Sequence, residues 1–166
     1  MNIFCVYECP VESAKALPDN LTNKMILESA QMLCTAHTVL DGVQKKYKPT
    51  HSNHPCSVFV RQSKENYNWL YRHFQSLCDE YSYRTGKVHA TSSLLEELKT
   101  APKNISNNPL SIDFMCMPDE YKKTLDVQKN YRLYLAYKIK DWAERKDKRP
   151  IVAKWTKRNK PEFYNI

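Results

Sequence analysis

Glycine is scarce in this sequence, which contains only Gly42 and Gly86 among its 166 residues. Phosphate-binding loops and dinucleotide-binding fingerprints need several closely spaced glycines, because their backbone must turn tightly against the phosphate groups. Both kinds of nucleotide-binding loop are therefore excluded. Each of the two glycines follows a long segment with helical periodicity, where we expect it to end a helix.

Apolar residues recur with the 3.6-residue period of an amphipathic helix in three long segments. We predict helices over residues 22–40, over residues 57–85 as one helix or two that break near Ser63, and a last one that begins after Pro118 or Asp126. Because few β-rich runs remain, this pattern predicts a mostly α protein that folds as a single compact helical domain over residues 1–166. The length suits one domain, since domains typically hold about 100–200 residues.

The remaining segments predict shorter elements and loops. Residues 2–7 are apolar and predict a strand or an extended segment against the core, whereas residues 10–18 predict a connector. A short helix is expected to start at Ser93, where SLLE matches a capping box that ends on Glu96. Leu125 is expected to join the buried face of the last helix.

Positive charge is concentrated at the C-terminal end of the chain. The sequence carries a net charge of +8, of which +6 belongs to residues 145–166, here called the C-terminal segment. The helical body, residues 1–144, is nearly neutral. An excess of Lys and Arg suggests a polyanionic partner, and its restriction to one segment indicates where that partner is contacted.

The six cysteines include no CxxC pair, and the first residues, MNIFCVYECP, lack the basic start and apolar core of a secretion signal. Both features favour reduced thiols in a cytoplasmic protein. No apolar run approaches the roughly 20 residues that span a bilayer, so no membrane partner is expected. Cys5, Cys9, His51 and His54 form a zinc site on paper, but their spacing matches no standard zinc module. The sequence therefore predicts no metal and no cofactor.

Glu28 is the most informative acidic residue, because it lies within the apolar run KMILESAQML of the first long helix. A carboxylate in such a position is either buried, where desolvation raises its pKa toward the range of a general acid, or faces water at the helix edge. Lys24 precedes it by one turn, so an i,i+4 ion pair is the simpler explanation.

The loop THSNHPC contains two histidines, His51 and His54, three positions apart. They suit acid–base chemistry, phosphate contact or metal binding, and a solvated loop or a structured turn explains them as well. Arg61 and Lys64 follow on one helix face and are candidates for contact with nucleic acid, the alternative being a solvated basic face.

The C-terminal segment interleaves basic and aromatic residues. Lys and Arg neutralise phosphates and aromatic rings stack on unpaired bases, so the pattern is typical of a nucleic-acid contact surface. Alternatively, the rings anchor the segment on the core while the charges face water. The predicted nucleic-acid-binding residues of the whole chain are Lys24, Arg61, Lys64, Lys154, Trp155, Lys157, Arg158, Lys160 and Tyr164.

Three stretches form a recognisable set: KMILESAQMLCTAHTVLDG, YKPTHSNHPCSVFV with the helix that follows it, and AKWTKRNKPEFY. As a set they resemble a group of phage-encoded proteins, for which the host cytoplasm is the expected location. More distantly, their order is similar to that of the pyrimidine-dimer DNA glycosylase family of the endonuclease V type. Members of that family are small, basic, mostly helical and single-domain.

The resemblance implies a DNA glycosylase or glycosylase/AP lyase that acts on a flipped-out nucleotide. Its nucleophile would be the N-terminal α-amine, which belongs here to Met1, or to Asn2 if Met1 is removed. Glu28 matches the catalytic glutamate by its place in the first long helix, and His54 is the further catalytic candidate. An α-amine suits the role because its pKa, roughly 7.7–8.0, leaves much of it neutral near pH 7.

The chain also departs from the family's phage member. Ile3 and Leu27 stand at positions where that member has arginines that contact DNA phosphates. Asn2 is larger than the residue found there and disfavours removal of Met1. The tail aromatics Trp155 and Tyr164 match the family's Trp- and Tyr-rich C-terminal DNA contact.

Other functions remain open from the sequence alone. One is a non-catalytic nucleic-acid-binding protein that uses only the basic C-terminal segment. Another is an interaction protein of a phage, in which the charge serves solubility. A third is an enzyme that acts on a nucleotide or small phosphate through the His51 and His54 loop with Arg61 or Lys64. The sequence predicts DNA as the partner and leaves the oligomeric state open.

Overall fold

The computed structural model describes residues 1–165, and all regular structure in that range is helical. The α-helices are α1 (Pro10–Ala16), α2 (Asp19–Asp41), α3 (Pro55–Gln62), α4 (Lys64–Thr85), α5 (Leu95–Leu98) and α6 (Val127–Glu144). Short 3-10 turns occupy Ala90–Leu94, Asp119–Tyr121 and Glu162–Tyr164. The predicted mostly α fold is confirmed. Within the described range, none of the helices combines the length and the apolar character that a membrane span requires.

Glycine ends α2 and α4, as the sequence predicts, and a serine begins α4. Gly42 and Gly86 follow α2 and α4 with φ angles of 68° and 71°, a left-handed conformation that glycine adopts without a steric cost. Ser63 separates α3 from α4, and its hydroxyl caps α4 by accepting a hydrogen bond from the Asn66 N–H at 3.1 Å. The second predicted helix is therefore two helices, broken at Ser63.

Three predictions about shorter elements are wrong. Residues 10–16 form α1 instead of a connector, with Pro10 in its first turn, where a missing N–H costs nothing. Ser93 caps no helix, because it lies inside a 3-10 turn and its hydroxyl donates to the Ala90 carbonyl. Leu125 is 98% exposed because α6 begins only after Asp126.

The core forms where α2 and α4 pack along each other, with α1 and α3 against them. Residues 3–6 run through this core without regular structure, and all four side chains are buried. Phe4 has a positive φ of 53° and its carbonyl accepts the Val6 N–H at 2.9 Å, so the segment turns there and the predicted strand or extended segment is wrong at this point. Tyr131 and Leu135 close the core from α6. Because residues 3–6 are packed among the helices, the N-terminus that precedes them is held at a fixed place on the helical body.

One core histidine predicts how stability depends on pH. His73 is fully buried on α4, its Nδ1 donates to the Pro10 carbonyl at 2.9 Å, and its Nε2 has no partner among the described residues. Burial lowers its pKa from 6.5 to about 4. The unfolded chain therefore binds a proton that the native chain excludes. The contribution of His73 to the free energy of unfolding is fully present above about pH 6.5. It falls as the pH approaches 4, by about 3 kcal/mol for a shift of this size.

The His73→Gln variant keeps an N–H donor for the Pro10 carbonyl but does not titrate. We measure the free energy of unfolding with urea at several pH values. Between pH 7 and pH 4 we expect that of the variant to change less with pH than that of the wild type. Equal slopes for the two proteins would contradict this, because they would show that His73 binds a proton equally well in the folded and the unfolded chain.

Candidate active site

Glu28 lies beside the N-terminus of the chain. Its side chain, 13% exposed, extends from α2 to the first two residues. Oxygen Oε2 accepts a hydrogen bond from the Asn2 N–H at 3.0 Å and lies 3.9 Å from the α-amine of Met1. Oxygen Oε1 lies 3.4 Å from Nζ of Lys24, one turn earlier on α2. The ion pair with Lys24 and the contact with the N-terminus therefore coexist, each on its own oxygen.

The first two residues are held by three separate parts of the chain. The side-chain amide of Asn2 donates from Nδ2 to the Cys116 carbonyl at 2.7 Å. The Met1 side chain is 2% exposed, and its sulfur accepts a hydrogen bond from the Ser57 hydroxyl at 3.3 Å. Because α2 supplies Glu28, α3 supplies Ser57 and the loop before α6 supplies a carbonyl, the α-amine is fixed against one carboxylate.

The histidine loop reaches the same neighbourhood. His54 is the N-cap of α3, and its Nδ1 accepts a hydrogen bond from the Cys56 N–H at 3.2 Å. Burial lowers the pKa of His54, the positive charges of the α-amine and His51 lower it further, and Glu28 opposes them. The geometric link runs through Cys56: a ring nitrogen of His54 lies within 4.8 Å of Sγ of Cys56, which is 4.0 Å from the side-chain oxygen of Asn2. His51 is exposed on the same loop.

Two cysteines lie next to His54, and no sequence pattern pairs them. Sγ of Cys56 on α3 and Sγ of Cys116 in the loop before α6 are 3.3 Å apart, and both residues are free thiols. The hydrogen bond between them lowers the pKa of Cys116 and, together with burial, raises the pKa of Cys56. This pair is distinct from Cys5, which is buried, and Cys9, which is exposed.

Arg61 and Lys64 lie at the junction of α3 and α4 but make different contacts. The Arg61 guanidinium donates to the Ser52 carbonyl, so it holds the histidine loop against α3. Lys64 is exposed, and its backbone N–H donates to the Ser106 carbonyl at 2.7 Å, while its side chain has no hydrogen bond or ion pair within residues 1–165. The charge of Lys64 therefore remains available at the surface.

The C-terminal segment is docked on the helical body. Trp155 donates from Nε1 to the Ala16 carbonyl at 2.9 Å, and the Lys154 carbonyl accepts the Asp19 N–H at 2.9 Å. Arg158 pairs with the buried Glu80 at 2.6 Å. Burial raises the pKa of Glu80. Hydrogen bonds from Arg158 and from Arg84, one turn further along α4, have the larger effect and lower the pKa below its usual value.

Contacts with the body change what this segment offers to a ligand. Tyr164 is 5% exposed, and its hydroxyl donates to the Ala16 carbonyl, so its ring is a core residue and the predicted stacking on a base does not fit. Lys157 is exposed but donates to the Tyr83 carbonyl at 2.6 Å. Lys154 and Lys160 are exposed. The segment therefore combines aromatic rings that anchor it on the core with lysines at the surface. This arrangement matches the alternative in which the rings hold the segment and the charges face water.

Comparison with known proteins identifies the family. A family model described as pyrimidine dimer DNA glycosylase matches residues 1–94. No curated protein and no solved structure matches the chain. The matched range covers more than half of the chain and contains the N-terminal residues, Glu28 and His54, whereas Cys116 and the C-terminal segment lie beyond it. The chain belongs to the pyrimidine dimer DNA glycosylase family.

Proposed function

We propose that this protein is a DNA glycosylase with AP-lyase activity that uses its α-amine and Glu28. The observation that carries the proposal is the contact of one carboxylate oxygen, Oε2 of Glu28, with both the Met1 amine and the Asn2 N–H. Family membership supports DNA as the substrate. An amine that reacts as the nucleophile needs a neighbouring group that stabilises the positive charge on the intermediate and accepts a proton from it. The carboxylate of Glu28 lies close enough to the amine for both roles.

The chemistry assigns a separate step to each group. The neutral amine attacks C1′ of a flipped-out nucleotide, the glycosidic bond breaks, and the base leaves with the bonding electrons. The attached nitrogen gives up one proton, the C1′–O4′ bond breaks as the ring oxygen takes a proton up, and the opened sugar holds a protonated imine between C1′ and the amine nitrogen. Glu28 stabilises this cation, then takes a proton from C2′, and the electrons released expel the 3′ phosphate. The imine is finally hydrolysed, which returns the free amine.

Two features of the site support this division of roles. Lys24 occupies Oε1 of Glu28, which leaves Oε2 for the reacting amine. The buried Met1 side chain, bonded to Ser57, anchors the amine, so we assign the nucleophile to Met1. If Met1 is removed, the Asn2 nitrogen becomes the amine, and it already lies 3.0 Å from the same carboxylate.

The role of His54 follows from its place beside this pair. Its Nδ1 accepts the Cys56 N–H at 3.2 Å, which requires an unprotonated nitrogen and so a neutral ring, and burial together with the charge of the amine lowers its pKa in the same sense. A neutral imidazole adds no positive charge next to an amine that must itself be neutral to react. We therefore assign His54 to shaping the site, without a proton-transfer step of its own.

An assay on an abasic site tests the function without knowledge of the lesion. The full chain is incubated with duplex DNA that contains one abasic site, and the same duplex with an intact base serves as the control. We expect strand cleavage at the abasic site alone, without added metal or cofactor. Salt-sensitive binding without cleavage would contradict the enzymatic proposal and favour a binding protein.

The exposed lysines of the C-terminal segment predict a salt effect on DNA binding. Lys154 and Lys160 are exposed, and removing one lysine–phosphate interaction lowers the slope of log K against log salt by about 1. For the double variant Lys154→Gln/Lys160→Gln we expect the slope to fall by up to about 2. Tyr164→Phe is the control, because this ring is buried, and its slope should equal that of the wild type. An unchanged slope in the lysine variant would remove the segment from the DNA interface.

A further inference from the structure

We infer that His54, Cys56 and Cys116 bind one Zn²⁺ ion next to the proposed active site. One ring nitrogen of His54 and the two sulfurs lie within 4.8 Å of one another. Imidazole nitrogen and cysteine thiolate are the ligands that zinc prefers, in a tetrahedral arrangement. The proposal does not depend on the proposed function, because it rests only on these three side chains.

The spacing of the sulfurs suits a shared metal ion. With Zn–S bonds of about 2.3 Å and tetrahedral angles, two cysteine sulfurs on one zinc stand about 3.8 Å apart. Sγ of Cys56 and Sγ of Cys116 are 3.3 Å apart, so an opening of about half an ångström admits the ion. A disulfide needs the opposite movement, to about 2.05 Å.

The backbone holds the two cysteine ligands close together before a metal arrives. Cys56 lies in the first turn of α3, directly after the N-cap residue His54. Nδ1 of His54 accepts the Cys56 N–H at 3.2 Å, and zinc ligation replaces this hydrogen bond, because Nδ1 then either binds the ion or carries the ring proton while Nε2 binds it. Cys116 is fixed by its own N–H, which donates to the Tyr131 hydroxyl at 3.0 Å. Such supporting contacts orient metal ligands and raise affinity. The protein supplies three ligands, and we assign the fourth position to water.

A metal at this place would tie the loop before α6 to the N-terminus. The Cys116 carbonyl accepts the Asn2 side-chain amide at 2.7 Å, so the residue that ligates the ion also positions the residue next to the amine. Cys116 lies outside the range matched by the family model, residues 1–94. Family membership therefore does not carry this site, which rests on the contacts of the loop before α6.

Cobalt binding tests the site directly. The full chain is purified reduced, stripped with a chelator, and titrated with Co²⁺, which reports tetrahedral thiolate ligation through charge-transfer and visible bands. We expect one equivalent to bind, and Zn²⁺ to displace it. In the metal-loaded wild type, Cys56 and Cys116 should be protected from alkylation, a measurement that needs no variant.

Cysteine variants locate the ion. We expect Cys116→Ser to lower the affinity by more than the roughly 10–100-fold that removal of an outer supporting contact costs. The matched control is Cys9→Ser, since Cys9 is exposed and lies outside the cluster. Three outcomes would overturn the proposal: a reduced chain that takes up no cobalt, uptake that Cys116→Ser leaves unchanged, or a freshly purified protein that contains a Cys56–Cys116 disulfide instead of a metal.

Discussion

Replacing Glu28 with Gln should abolish turnover on abasic DNA and leave DNA binding intact. The amide has nearly the shape of the carboxylate and keeps an oxygen that accepts the Asn2 N–H, a hydrogen bond of 3.0 Å in the wild type. It cannot accept a proton from C2′ and does not stabilise a cationic imine. Loss of a general base typically costs about 10²–10⁴-fold in rate. Because the substitution removes a negative charge, affinity for a polyanion should not decrease.

The matched control for this variant is Glu65→Gln. Glu65 lies in the first turn of α4 and is exposed, so its neutralisation changes net charge by the same amount away from the N-terminus. Single-turnover cleavage rates and binding isotherms should separate the two variants, with only Glu28→Gln inactive. If Glu28→Gln cleaves at the wild-type rate, the carboxylate is not the base and the proposed mechanism is wrong.

Replacing Arg84 with Met should produce the largest loss of stability among the charged residues discussed. Arg84 is 4% exposed and pairs with the buried Glu80 at 2.9 Å and with Asp19 at 3.1 Å. It also donates to the carbonyls of Leu17 and Lys15 at 2.7 and 2.9 Å. Removing one member of a buried ion pair leaves the other charge uncompensated and typically costs about 3–5 kcal/mol.

Urea unfolding of Arg84→Met beside Arg72→Met measures this loss. Arg72 is an exposed arginine on the same helix, and its replacement should stay within about 0.5 kcal/mol of the wild type. Because Glu80 also binds Arg158, we expect Arg84→Met to loosen the C-terminal segment as well. A loss below about 1 kcal/mol would show that Arg158 alone can neutralise Glu80.

The long helices were predictable because their signals are local. Gly42 and Gly86 end helices whose apolar periodicity extends over many turns, and Ser63 carries its own capping geometry. Helix α1 has only seven residues, too few for a period to be recognised, and it is held by tertiary packing of Ser13 and its neighbours. Short elements of this kind depend on contacts that a sequence window does not contain.

The candidate site was predictable in part for the same reason. Glu28 could be singled out because a carboxylate interrupts an apolar face, and the resemblance pointed to the N-terminus. The contact of Cys56 with Cys116 joins residues 60 positions apart in sequence, the second in a loop without periodicity. Tyr164 was expected at a DNA surface, but composition alone does not distinguish a ring that stacks on a base from one that anchors a segment.

Borohydride trapping on abasic DNA, followed by peptide mapping of the adduct, tests the central claim most directly. Borohydride reduces an imine to a stable amine, so the DNA remains attached to the nucleophile. We predict a covalent complex in which the sugar is bonded to the α-nitrogen of Met1, the amine that lies 3.9 Å from Glu28. An adduct on a lysine side chain, or no adduct under conditions in which the DNA is bound, would contradict the account.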